Sequence, residues 1–345
     1  MSDTIECAAD AAAVGMREFT ASGHQSASDL SGFLWSVAIF AAREQPGELI
    51  ATIGSIVQAA SQPTVIDVMV NGNHELAAEI GKRIAMTPIV VDSIRIRVWS
   101  IPLGGKAHAW NEYVHLVWPG TRLAFFVDGY ARPRLDAFEL LAAGVASAPA
   151  ALAGTGVPSS GRTAHKLGAE MLREGGLQGS FFVLKESVMN EFRDSGFRLP
   201  LGLYGFDTLL GAVLAFGLDP SKNQWNAKGC ILIHPEVTWT SDKKNWWRPS
   251  VVRTQYKRIL NNALRVLVIQ ATKNYLAQRK LPPEQLPRTV EDFVLGWVND
   301  NPDDARKTLR ESPLSRLALA KLREPRNWSV AKQAPKLIYA SRGTT

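Results

Sequence analysis

Four polar features fall at the ends of predicted elements, namely Glu44, Asn71-Gly72-Asn73, Gly104-Gly105-Lys106 and Asp128, and a further acid, Asp207, lies in apolar company. Glu44 follows Trp35–Ala41 in the stretch Ala41-Ala42-Arg43-Glu44. A carboxylate there could accept hydrogen bonds from a base or ribose, or simply open a helix as an exposed glutamate. Asn71-Gly72-Asn73 follows Val65–Val70 and reads equally as a turn or as a ligand loop. Asp128 follows Phe125-Phe126-Val127 directly, and a carboxylate is costly at the end of a buried strand unless it has a partner. Asp207 sits in the apolar segment Tyr204–Leu210. It reads as a general base with a raised pKa or as a helix-capping aspartate. Gly104-Gly105-Lys106 precedes a helix pattern, so backbone and cation could approach a phosphate. The spacing of a Walker loop is absent. His234, in Ile231-Leu232-Ile233-His234-Pro235, is a candidate metal or phosphate ligand, against the commoner structural role of a lone histidine.

Strand-like and helical segments alternate along the chain between these residues. Strand-length apolar runs at Trp35–Ala41, Val65–Val70, Ile94–Val98 and Leu123–Val127 are separated by helical patterns at 47–60, 75–85 and 106–117. That alternation predicts an open, mainly parallel sheet flanked by helices, with ligands at the carboxyl ends of the strands. Ile94–Val98 alternates with arginines, which predicts a half-exposed strand. Beyond Gly144 the texture changes. Ala148–Gly156 reads as small and flexible, Leu177–Leu184 as a strand, Phe206–Leu218 as a helix and Ile231–Ile233 as a short strand. One long helix is expected from Val251 to Lys280, with Val252, Tyr256, Ile259, Ala263, Leu267, Ala271 and Tyr275 on its apolar stripe. Short helices should follow near Val290–Val298 and Asp303–Leu322.

Composition narrows the classes. Apolar residues make up 46% of the chain and charged residues 21%, enough for a packed core. The longest apolar stretch, Leu199–Leu218, is broken by Asp207 and glycines, so no ordinary spanning helix is expected. The acidic start MSDTIECAAD does not read as a secretory signal. Two cysteines, Cys7 and Cys230, make neither a disulfide framework nor a zinc cluster, which fits a cytoplasmic location. Charge is uneven: residues 1–242 hold 18 Lys+Arg against 24 Asp+Glu, and residues 243–345 hold 21 against 8. A basic tail on a mildly acidic body suggests a phosphate-bearing partner, or merely a solvated basic surface.

Taken in order, these pieces resemble the family-2 inverting glycosyltransferases of the GT-A fold. The matching residues are Arg43-Glu44, Asn71-Gly72-Asn73, Gly105-Lys106 with Asn111, Asp128-Gly129-Tyr130-Ala131-Arg132-Pro133, Gly179-Ser180-Phe181-Phe182, and Phe206-Asp207 before Leu209-Leu210. The resemblance covers roughly residues 33–240 and implies a GT-A domain over 33–242; the Ala/Ser-rich start reads as a loosely attached arm or short helix within 1–32, and the charge balance marks a basic helical extension over 243–345. Within the domain the resemblance implies a nucleotide-binding half (33–145) and an acceptor half (146–242). It implies donor-nucleotide contacts from Ala42, Arg43, Glu44, Asn71, Lys106, Asp128 and Gly129. Gly179 and Ser180 would contact acceptor or sugar, and Asp207 would be the base. Arg253 and Arg258 lie in Arg253–Arg258, which looks like the Gln-x-x-Arg segment of processive members; they would face the donor phosphates. The implied cofactor is a divalent metal, Mn or Mg, on Asp128 with His234 as an extra ligand. Tyr130 stands where the family has the second acid of Asp-x-Asp, and Phe206 where it has an acid before the base.

The resemblance therefore implies transfer of a sugar, with inversion, from a nucleotide-sugar donor to a glycan, lipid-linked or small-molecule acceptor. The basic C-terminal region could also contact the inner membrane surface peripherally. The alternatives are a degenerate relative that binds a nucleotide or glycan without transfer, and a nucleic-acid-binding protein using the basic tail. The second is disfavoured because aromatic residues are not interleaved with the basic ones as a stacking platform.

Overall fold

The computed structural model describes residues 30–341 except 31, 90, 160–163 and 242–248, and only the backbone of 249–258. The expected N-terminal arm falls almost wholly outside the described residues. Four parallel strands form the centre: β1 (Trp35–Ala41), β2 (Thr64–Asn71), β3 (Ile94–Ile101) and β4 (Leu123–Asp128). The helices that return the chain are α1 (Pro46–Ala59), α2 (His74–Met86) and α3 (Lys106–Glu112), the last running on into a π-helical turn at Tyr113–Val117. Every residue of β1 and β2 is buried, because helices cover both faces of the sheet. This is a mixed α/β protein with a large central sheet flanked by helices.

The outer strands are β5 (Arg132–Pro133), β6 (Ala153–Pro158), β7 (Phe181–Lys185), β8 (Ile231–Thr240) and β9 (Lys336–Ala340). The sheet order is β5-β8-β6-β7-β4-β1-β2-β3-β9. Strand β7 runs antiparallel to both β4 and β6, so it begins on the side where the central strands end. Between these strands lie α4 (Ala137–Ser147), α5 (Ala164–Glu174), α6 (Glu186–Asp194), α7 (Phe206–Ala215) and a single turn, α8 (Ala227–Cys230). The C-terminal helices are α9 (Pro249–Thr272), α10 (Val290–Asp300), α11 (Pro302–Glu311) and α12 (Pro313–Leu322). They bury Leu260, Leu264, Leu267, Phe293 and Trp297 in the same core as Trp110, Phe126 and Leu210. Among the described residues, no helix is long and apolar enough to cross a membrane.

Several local expectations are corrected. The small residues of Ala148–Gly156 are not a flexible link: they lead into the strand β6, and a Cβ on Gly154 would lie 2.5 Å from Val145 Cγ2. Small side chains there let α4 press against the sheet. Strand β3 is buried except for the half-buried Arg95 and Trp99: β9 pairs with its edge, and the turn at Tyr113–Val117 reaches Arg97. Arg97 is buried and forks onto Asp67, with Nε and Nη2 donating at 2.7 and 2.9 Å. Trp99 Nε1 donates to the same carboxylate at 2.8 Å, and Arg97 Nη2 also reaches the Val117 carbonyl at 3.0 Å. Strand β8 extends to Thr240, well past Ile233. The long helix leaves α geometry after Thr272 for a π-helical turn at Lys273–Gln278, and Ile259 on its expected apolar stripe is exposed.

Candidate active site

The central strands deliver their carboxyl ends to one side of the sheet, and the polar residues singled out in the sequence gather there. After β1 the chain folds back on itself. Glu44 Oε2 accepts the N–H groups of Ala42 at 2.7 Å and of Arg43 at 2.9 Å. Arg43 itself is exposed. Gly129, just past β4, packs against this turn. Its N–H donates to the Phe40 carbonyl at 2.8 Å, and its carbonyl accepts from Thr52 Oγ1 at 2.9 Å. A Cβ on Gly129 would lie 3.2 Å from the Glu44 carboxyl carbon and 3.1 Å from the Phe40 carbonyl oxygen. The absence of a side chain there lets the Glu44 and Asp128 loops meet.

The Asn71-Gly72-Asn73 turn ties neighbouring loops together. Asn71 is buried; its Nδ2 donates to the Ala41 carbonyl at 2.8 Å and its Oδ1 accepts the Gly105 N–H at 2.8 Å. Asn73 caps α2 by accepting the Leu76 N–H at 3.1 Å and donates to the Ala42 carbonyl at 2.9 Å. These amides hold the loops after β1, β2 and β3 in register.

Lys106, the first residue of α3, reaches across to β4. Its ammonium pairs with Asp128 Oδ1 and donates to the Gly179 carbonyl at 2.6 Å. The same nitrogen lies 4.9 Å from the ring centre of Phe206 and 5.6 Å from that of Phe40, distances at which a ring face attracts a cation. Tyr130 donates its hydroxyl to the other oxygen, Asp128 Oδ2, at 2.8 Å. The charge on Asp128, then burial, raises the Tyr130 pKa far above the ordinary phenol, so the hydroxyl keeps its proton. The Asp128 N–H is taken by the Ser180 carbonyl at 3.0 Å.

Asp207 stands in the first turn of α7, not at the cap, which is Gly205 in a left-handed conformation (φ 67°). A Cβ on Gly179 would be 3.1 Å from the Asp207 Cβ. Arg265 on α9 approaches the Asp207 carboxylate with Nη2 at 3.4 Å. The same guanidinium donates to Thr208 Oγ1 from Nε at 3.0 Å and from Nη2 at 2.8 Å. Glu44, Gly129, Asp128, Lys106, Gly179 and Asp207 therefore form one connected rim. An apolar cavity of about 460 Å³ opens beside Thr208 between α7 and α9, lined by Ala212, Phe216, Trp225, Ile269 and Leu276.

Other expected site residues lie elsewhere. His234 is half-buried on β8, where its Nδ1 accepts the Glu236 N–H at 3.3 Å. Strands β6 and β7 stand between it and β4. The side chains of Arg253 and Arg258 lie outside the described residues. Arg265, Thr208 and Phe40 belong to the rim but were not singled out as site residues. The signal for Arg265 was its spacing, two helical turns after Arg258 on the same amphipathic helix.

The residues present do not fit a resident divalent cation at Asp128. Both of its carboxylate oxygens take donors from the protein, one of them an ammonium. Among the described residues, no group of three or more His, Cys, Asp or Glu side chains is arranged to hold a metal ion.

No family model and no curated protein sequence matches the chain. Among solved structures it is similar to glucosyl-3-phosphoglycerate synthase from Mycobacterium tuberculosis, determined in complex with Mn2+, uridine diphosphate and glucosyl-3-phosphoglycerate. The identity is 14%, the match covers 72% of this chain and 81% of that one, and the TM-score is 0.40.

Proposed function

We propose that the protein transfers a sugar from a nucleotide-diphosphate donor to an acceptor hydroxyl by a single inverting displacement. One observation carries this reading: Gly179 joins the two halves of the rim. Its carbonyl holds Lys106, and its Cα is seated against Asp207. A cation suited to a diphosphate and a carboxylate suited to a hydroxyl proton thus share one backbone residue. On this reading the acceptor oxygen attacks the anomeric carbon as the bond to the diphosphate oxygen breaks. The diphosphate leaves with the bonding pair, and the acceptor proton passes to Asp207. Glu44 borders the donor side. The apolar cavity beside Thr208 borders the acceptor side, which favours an acceptor with an apolar portion next to its hydroxyl.

The test is a thermal-shift screen of nucleoside diphosphates and nucleotide-sugars, followed by nuclear magnetic resonance of nucleotide-sugars incubated with the protein. A ligand at 100 times its dissociation constant should stabilise the fold by about 2.7 kcal/mol. Slow release of sugar from one donor, lost in Asp207→Asn, supports transfer. Binding without release in every donor and acceptor mixture favours the second reading, a nucleotide-binding protein without transfer. Tyr130 in place of an acid is the observation that motivates that alternative.

A further inference from the structure

We infer that Lys106, held in place by Asp128, supplies the positive charge that a divalent cation would otherwise bring to the donor diphosphate, so that donor binding needs no metal. The inference rests on the glycosyltransferase reading for the identity of the anion, but not for the geometry of the cation. An ammonium has three N–H donors. Two are committed, to Asp128 Oδ1 and to the Gly179 carbonyl at 2.6 Å. That leaves one for an anion at the mouth of the crevice, where the Lys106 side chain is 26% exposed.

Three further observations lock this arrangement. Tyr130 occupies the position of a second acid and donates to Asp128 Oδ2 at 2.8 Å, so the carboxylate has a protein donor on each oxygen. The rings of Phe40 and Phe206 flank the ammonium and favour a cation between them. The Asp128 backbone N–H is fixed by the Ser180 carbonyl at 3.0 Å, which sets the carboxylate's position at the strand end. A divalent ion on Asp128 would have to displace Tyr130 or bring two like charges together at Lys106. Asp128 is then a positioning residue, acting through Lys106, and not a metal ligand.

Manganese uptake is measured first, by electron paramagnetic resonance of free Mn2+, with wild type, Asp128→Asn and Tyr130→Asp. Wild type should take up no ion that Asp128→Asn loses. Tyr130→Asp, which restores a second acid, should gain uptake by tenfold or more over wild type. Stoichiometric uptake by wild type that disappears in Asp128→Asn would overturn the inference. UDP, GDP and ADP are then titrated calorimetrically in EDTA and in manganese, with binding of manganese to free nucleotide subtracted. The expected result is equal affinity in both buffers for whichever nucleotide binds, and a loss of about tenfold or more in EDTA for Lys106→Met, the scale of one charge-assisted hydrogen bond. Asp128→Asn should weaken binding equally with and without manganese. Binding abolished by EDTA would overturn the inference. Failure of every nucleotide in both buffers would instead overturn the donor reading, while the manganese arm still decides the cation.

Discussion

The Asp207 side chain packs beside Gly179 so closely that a Cβ added at Gly179 would lie 3.1 Å from the Asp207 Cβ and 3.3 Å from its carboxyl carbon. That spacing couples the two halves of the rim, because the Gly179 carbonyl is also the acceptor for Lys106. Gly179→Ala should therefore shift Asp207 by about a few tenths of an ångström and disturb the Lys106 side less, since the Gly179 carbonyl is kept. Misplacing a reacting group by about 1 Å can cost about 100-fold in rate. The shift at Gly179 is smaller, so the expected outcome is a fall in kcat of less than that with nucleotide affinity changed less than kcat, read by steady-state kinetics and calorimetry. A parallel loss of nucleotide affinity would mean that the rim does not divide into donor and acceptor sides.

Asp207→Asn removes the proton acceptor and leaves its volume. Transfer should drop by about 10²–10⁴ with the nucleotide dissociation constant unchanged. Arg265→Met removes the guanidinium that lies 3.4 Å from Asp207 and bonds Thr208. It should lower kcat less than Asp207→Asn does. Full activity in Asp207→Asn would remove this residue from the mechanism.

What was legible in the sequence was local. The runs of β1, β2 and β4 are largely apolar because helices cover both faces of those strands, with Asp67 interrupting β2, and the polar residues closing each run mark the crevice. The glycine-rich β6 was hidden because its signal is the closeness of α4, not side-chain hydrophobicity. Strand β9 was hidden because five residues, Lys336–Ala340, carry too little periodicity to separate from a basic tail. Arg97 looked solvent-facing because its partner, Asp67, is a buried acid on the neighbouring strand. Helical spacing puts Arg265 two turns after Arg258, but its meeting with Asp207 across 58 positions is set by how α9 lies on α7.

The Arg97–Asp67 pair gives a stability test of that cross-strand contact. Both groups are buried, and the carboxylate is fully enclosed. Removing one partner leaves a charge without compensation, which costs about 3–5 kcal/mol. Arg97→Met should lower the unfolding free energy by that amount in urea titration. Combining it with Asp67→Leu should recover part of the loss, since no charge then remains buried while the Trp99 indole N–H and the Val117 carbonyl lose these partners. An additive double variant would show that the two residues do not act as a pair.

The pH dependence of stability should turn on Glu112 of α3. Burial raises its pKa from 4.5 to about 7, even though Arg198, 3.6 Å away and partly exposed, pulls the other way. Burial lowers His108, on the same helix, from 6.5 to about 4, with Arg198 adding to the effect. His115 falls from 6.5 to about 4 for the same leading cause. Between pH 4.5 and 7 the folded protein keeps a Glu112 proton that the unfolded chain has released. The stability this group contributes is therefore full below about pH 4.5 and is lost as pH rises through 7. The histidines act in the opposite sense: the unfolded chain binds their protons first, so their contribution is present above pH 6.5 and is lost as pH falls through 4. Wild type should thus gain stability from pH 4 to 6.5, with Glu112 blunting the rise. Glu112→Gln removes the opposing carboxyl, whose Oε1 lies 3.9 Å from His108 Nδ1. The unfolding free energy of the variant minus that of wild type should climb by about 3 kcal/mol between pH 4.5 and 8 and then stay level. Urea titrations at half-unit pH steps measure that difference, and a flat difference across the range would show that folding leaves the Glu112 pKa unshifted.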